Sequence, residues 1–173
     1  MEALHVNAEL RMAAKRQNIT QLNLSKKANK GHSTVSGYFN SEPSPIGAIA
    51  DMAAILDDST FTHQMANKTY GTLPIMESET YYETPHVLEM LQEKEANERK
   101  ARKNEALMIL CKQDAYLTEQ DKSVLRAYAN EFLDEMLIEM KLVLSILSKT
   151  NVSFMQAIKD RTPYWKIQKY LKG

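Results

Sequence analysis

The stretch Thr20–Asn40, TQLNLSKKANKGHSTVSGYFN, decides how the first third of the chain is read. Thr20 is a good N-cap, because its hydroxyl can accept from an orphan amide of a helix expected over Gln21–Ala28. Asn29–Gly31 reads as a tight turn, and a second helix is expected from His32 to about Phe39. Leu24, Ser25, Ala28, Val35 and Tyr38 fall where two such helices close on each other. His32, Ser33, Thr34 and Ser36 fall on the outside of the second. A fixed inner pattern with a short polar outer face is the pattern of a helix-turn-helix, whose second helix can enter a major groove.

Helical periodicity continues on both sides. A first helix over Val6–Arg16 turns Leu10, Ala13 and Ala14 inward and Arg11, Lys15 and Arg16 outward. Ser41-Glu-Pro-Ser-Pro45 reads as a loop, since two prolines in three residues do not continue a helix. A fourth helix over Ile46–Leu56 follows, with Ile46, Ile49, Met52, Ala53 and Leu56 on one stripe, then a short fifth over Phe61–Met65. The expected class is all-α. Residues 1–66 form a four- to five-helix bundle, 67–85 a linker and 86–173 a long-helix module. Tyr70, Tyr81 and Tyr82 suggest that the linker is partly docked.

In the second module, Val87–Cys111 reads as one helix with a polar middle stitched by Glu95–Arg99 and Glu98–Arg102 at i,i+4 spacing. Its apolar end, including Cys111, is expected to be buried. Thr118-Glu-Gln-Asp121 is a capping arrangement that opens a helix of about 29 residues. Along it Ala129, Leu133, Met136, Met140, Val143 and Leu147 alternate by four and three, which is a heptad seam. Leu137, Ile138, Leu142 and Ile146 widen the apolar surface, so one face packs within the chain and another meets a second copy. Leu133, Met136, Met140, Val143 and Leu147 are the expected dimer contacts. Thr162-Pro163 is expected to open a short last helix carrying Tyr164, Trp165, Ile167, Tyr170 and Leu171.

Lys plus Arg and Asp plus Glu each number 22, so no bulk charge draws the chain to a polyanion. The distribution is uneven. Residues 1–41 hold six cations against two acids, a surplus of four. Residues 42–91 hold one cation against eight acids, a deficit of seven, and this acidic run is expected to turn away from any phosphates. One cysteine excludes an internal disulfide, and MEALHVNAELRM lacks a basic-then-apolar leader, so a cytoplasmic protein is expected. No window is apolar enough for a membrane span. His5, His63 and His86 lack metal-ligand spacing, and no nucleophile–base pair or nucleotide loop appears. Neither enzyme, metal nor cofactor is expected.

Thr20-Gln21 opening a helix, Leu24 and Ser25 within it, Ala28 closing it, Ser33-Thr34-Val35-Ser36 opening the next, and Tyr38 with Asn40 at its end together resemble one family. It is the Cro and phage-repressor helix-turn-helix family of xenobiotic-response-element type, and the likeness covers about Leu10–Leu56. Asn29 and Ser41 stand where that family usually has glycine. The resemblance implies a lambda-repressor-like bundle and a repressor-like regulator of transcription, a homodimer on an operator in double-stranded DNA. It implies bacterial or mobile-element control. Gln21 would clamp a phosphate, with Lys26, Lys27 and Lys30 neutralising others, while His32, Ser33, Thr34, Ser36, Gly37 and Asn40 would line the reading face. The alternative is an antitoxin or phage-encoded inhibitor whose C-terminal helices occupy a partner protein.

Overall fold

A computed structural model describes residues 3–172; the end residues of the expected first and last domains, Met1, Glu2 and Gly173, lie outside them. The chain is mostly helical, 71%. It divides by contacts into two compact units, one running to Ile75 and resuming at Leu147, the other spanning Met76–Ile146.

The first unit begins with α1 (Asn7–Arg16), α2 (Gln21–Lys27), α3 (His32–Asn40), α4 (Ile46–Leu56) and α5 (Ser59–Tyr70). Leu10, Leu24, Val35, Phe39, Ile49, Met52, Leu56, Phe61 and Met65 are among the buried side chains of its core. That core takes residues from all five helices, at the spacing that sequence periodicity requires. α2 packs on α3 and α4, α1 on α3 and α5, and α4 on α5. Two-residue strands β1 (Ala3–Leu4) and β2 (Ser44–Pro45) pair antiparallel, Ala3 opposite Pro45 and Leu4 opposite Ser44. The expected loop at Ser41–Pro45 therefore ends in a strand pair, a feature too short to leave a period in the sequence.

Local chemistry fixes the joints. The Thr20 hydroxyl accepts from the Asn23 amide at 3.2 Å, which caps α2 as the sequence suggests. Asn29, at φ 50, takes the left-handed turn that glycine would otherwise supply. Asp57, at φ 47, ends α4, and Asp58 caps α5 by accepting from the Phe61 amide at 2.8 Å. α5 runs to Tyr70 and stops at left-handed Gly71, so the expected linker is helical over its first four residues.

Asp58 also holds α1. Arg16 donates through Nε and Nη2 to its two oxygens at 2.8 and 2.7 Å, and Gln17 Nε2 adds a third donor at 3.3 Å. Arg16 is exposed, as expected, and from there clamps a carboxylate that is 3% exposed. Burial pushes the Asp58 carboxyl up, but the Arg16 and Gln17 donors, the Phe61 amide and the Arg16 charge outweigh it and hold the pKa below the ordinary value. A carboxyl depressed in the fold stabilises it above the unfolded pKa of about 3.9, and that contribution drains as pH falls through the lower folded value. Thermal unfolding should therefore show the parent losing Tm more steeply than Asp58→Asn as pH falls from about 4.5 to about 2. Parallel curves would mean that Asp58 is not the acid-labile clamp.

The last helix, α8 (Phe154–Ile167), belongs by contacts to this first unit. The sequence bounds grouped it with 86–173. It begins nine residues earlier than Pro163. Ser153 caps it by accepting from the Gln156 amide at 3.1 Å, and the Phe154 amide donates to Ser59 Oγ at 2.8 Å. Pro163 lies inside the helix, and the Thr162 hydroxyl donates to the Ile158 carbonyl at 2.8 Å in place of capping. The cap at Ser153 satisfies orphan amides and adds a tertiary bond, so it prevails over the local Thr-Pro signal.

The second unit is a pair of long helices, α6 (Pro85–Leu110) and α7 (Glu119–Leu147), joined by a turn of 3-10 helix at Asp114–Tyr116. Thr118 and Asp121 form a reciprocal cap: the Asp121 amide donates to Thr118 Oγ1 at 3.1 Å and the Thr118 amide to Asp121 Oδ2 at 2.9 Å. Lys112 binds the same carboxylate at 2.8 Å, and Lys112 with Thr118 brings its pKa down to about 2. Leu88, Ile138 and Leu142 form a small core, with Met76 and Leu91 against it. The segment before α6 is docked by Met76 and by Glu83, which pairs with Lys141 at 2.7 Å and accepts from Ser145 through its carbonyl at 3.3 Å; Tyr70, Tyr81 and Tyr82 are all exposed.

Charge continues where that core stops. Arg99 pairs with Glu135, Arg102 donates to Glu131 at 2.6 Å, and Gln92 donates to Glu135 at 3.1 Å. The expected Glu95–Arg99 and Glu98–Arg102 pairs along α6 are replaced by these cross-helix bonds, while Lys94 takes Glu95 at 2.8 Å and Glu98 at 2.9 Å. Covered Glu131 outcompetes exposed Glu98 for Arg102, since screening by water is weaker there, while Glu95, itself largely covered, is taken by Lys94. At the end of α6, Ala106 and Ile109 are buried, but Leu107, Met108, Leu110 and Cys111 are exposed, contrary to the expected buried end.

Candidate nucleic-acid interface

α3 turns Val35, Tyr38 and Phe39 into the core, which fixes its opposite stripe. Ser33, Ser36, Gly37 and Asn40 follow at steps of three and four, on one line of the helix surface. His32, Ser33, Thr34 and Asn40 are exposed, and Ser36 and Gly37 are half-buried. Asn40 Nδ2 reaches Ser36 Oγ at 3.5 Å, and the Asn40 carbonyl accepts from Asn7 Nδ2 at 3.1 Å, so the far end of the stripe is held to α1. The face is made of hydroxyl, amide and imidazole groups, which can both donate and accept.

The cations expected beside it are placed unequally. Lys26 and Lys27 lie in the last turn of α2 and are exposed. Lys30 is half-buried and pairs with Asp51 of α4 at 2.9 Å, so part of its charge is already answered. Gln21, the first residue of α2, is half-buried.

No family model, curated protein or solved structure matches this chain. Its chemistry has to be read from its own residues.

Sequence reasoning missed Glu42. The Ser41 and Glu42 amides both donate to the Gly37 carbonyl, at 3.1 and 3.0 Å, which closes the end of α3 and turns the chain back. The Glu42 carboxylate then lies over Gly37, where a Cβ at that position would collide with it. The first acid of the run expected to turn away thus stands on the outer stripe of α3. The one signal available was the glycine itself, a residue without a side chain in the middle of an otherwise polar face.

The residues expected at the α7 seam lie away from its buried line. Glu131, Glu135, Ile138 and Leu142 are buried and lie on one line of the helix. Leu133, Met136 and Val143 are 50%, 49% and 41% exposed, and with half-buried Met140 and Leu147 they lie on the opposite line. Glu95, Glu98 and Glu131 bring carboxylate oxygens within 4.8 Å of one another. Lys94 and Arg102 already neutralise all three. No helix among the described residues is long and apolar enough to cross a membrane.

Proposed function

We propose that this chain is a sequence-specific DNA-binding regulator of transcription, repressor-like, working as a homodimer. In this reading α2, the turn at Asn29 and α3 are a helix-turn-helix in a lambda-repressor-like bundle, as the resemblance to the Cro and phage-repressor family implies. The observation that carries it is the polar stripe of α3, rigidly backed by Val35, Tyr38 and Phe39 and open to solvent. Ser33, Thr34, Ser36 and His32 would read base edges, Gln21 would bond a phosphate through its side-chain amide, and Lys26 and Lys27 would neutralise phosphates. Lys30, shared with Asp51, contributes less.

The exposed line of α7 supports the dimer. Ala129, Leu133, Met136, Met140, Val143 and Leu147 repeat at heptad spacing opposite the buried line, four of them exposed and Met140 and Leu147 half-buried. A homodimer of this class would offer two α3 helices to half-sites about one helical turn, roughly 34 Å, apart.

Selection from a randomised duplex library tests the reading directly. The parent should enrich one two-fold motif, and His32→Ala with Ser33→Ala should flatten preference at the outer pairs while circular dichroism stays unchanged. Lys26→Ala with Lys27→Ala should weaken binding to all sequences and reduce the slope of log K against log salt by about two. Enrichment of no motif by the parent would end the proposal.

A further inference from the structure

We infer that Glu42 is a base-reading residue, which the turn after α3 delivers to the place where a side chain at position 37 would stand, and that it selects cytosine. This deepens the DNA-binding reading and rests on it. Glu42 is exposed, its amide is fixed to the Gly37 carbonyl at 3.0 Å, and its carboxylate covers Gly37, which shares one stripe of α3 with Ser33, Ser36 and Asn40. Among the described residues no cation is paired with it; the ion pairs of this unit join Arg16 to Asp58, Lys30 to Asp51 and Lys68 to Glu9.

The chemistry narrows what such a group can meet. An ionised carboxylate only accepts hydrogen bonds. Phosphate oxygens offer it no donor and repel it, so Glu42 cannot serve as a backbone contact. In the major groove, guanine shows two acceptors, thymine an acceptor and a methyl group, and adenine an acceptor beside its amine. Cytosine alone shows an amine without a competing acceptor, and glutamate accepting from cytosine N4 is the pairing that results. Gly37 is then the condition for the arrangement, because any side chain there would occupy the space that the carboxylate takes.

Selection from randomised duplex DNA with the full chain tests this with three proteins: the parent, Glu42→Gln and Gly37→Ala. The parent should require cytosine at one pair of each half-site. Glu42→Gln, which can both donate and accept, should move that preference towards adenine by at least about fivefold, with the other positions unchanged. Gly37→Ala should lose the cytosine preference by displacing the carboxylate, and it is safe for folding, because alanine favours a helix over glycine. Unchanged preferences in both variants would overturn the inference, as would a uniform gain in affinity for every sequence, which would make Glu42 only a repeller of phosphate. A parent that enriches a motif without cytosine at that pair sinks Glu42 alone; a parent that enriches nothing sinks the DNA-binding reading with it.

Discussion

A chain carrying Leu133→Glu and Met136→Glu should run as a monomer and lose most of its affinity for a two-fold operator. Both positions are about half exposed on α7, so the substitutions leave the contacts of Ile138 and Leu142 with Leu88 intact. Glutamate is also a good helix former. In the proposed seam the same side chains meet their copies, and a dimer would have to desolvate four carboxylates without partners, at several kcal/mol each. Dimerisation should weaken by roughly a thousandfold or more, since each 1.4 kcal/mol is a factor of ten. Operator binding falls with it, because the second half-site is then no longer held near the first. Light scattering, with helix content read in parallel, checks the result. A parent that is itself monomeric, at 19.8 kDa, where it binds DNA would refute the seam.

Phe61→Ala should destabilise the first unit by about 3–5 kcal/mol. Phe61 is the largest fully buried side chain, and it sits in the core shared by α1 to α5. Truncation removes most of a ring's transfer energy and leaves a space that five fixed helices refill only in part. Against a typical total of about 5–15 kcal/mol, that leaves the unit close to its midpoint at warm temperatures. Urea unfolding gives the size of the loss. Hydrogen exchange gives its place: amides of α1 to α5 should lose protection before those of α6 and α7, which belong to the other unit. A loss under about 1 kcal/mol would mean that neighbours collapse into the space.

The elements that sequence reading located well are those whose signals are local. The Thr20 cap, the Asn29 turn and the stripe Ile49, Met52 and Leu56 each act within one or two helical turns, and α4 has the bounds that its periodicity predicts. The departures come from tertiary competition. Arg99 and Arg102 have glutamates four residues before them, yet bind Glu135 and Glu131 of α7, which no single helix records. Thr162-Pro163 has the form of a helix start but loses to Ser153 and its neighbour's tie to Ser59, ninety-five residues away from Phe154. On the candidate face, the hydroxyls of α3 were legible because the buried stripe fixes the opposite one. Glu42 was not, because its place depends on how a loop returns.

The hairpin of α6 and α7 has one further implication. Its clustered apolar core is small, Leu88, Ile138 and Leu142 with Met76 and Leu91, and besides that and buried Ala96, Ala106 and Ile109 the two rods are fastened by Arg99, Arg102 and Gln92 on acids of the opposite rod. Of these, the Arg102–Glu131 fastener, whose arginine is half exposed, slackens most as dissolved electrolyte accumulates, while the more buried Arg99–Glu135 pair is screened less. The brine in which the molecule sits therefore tunes how firmly its two rods are clasped.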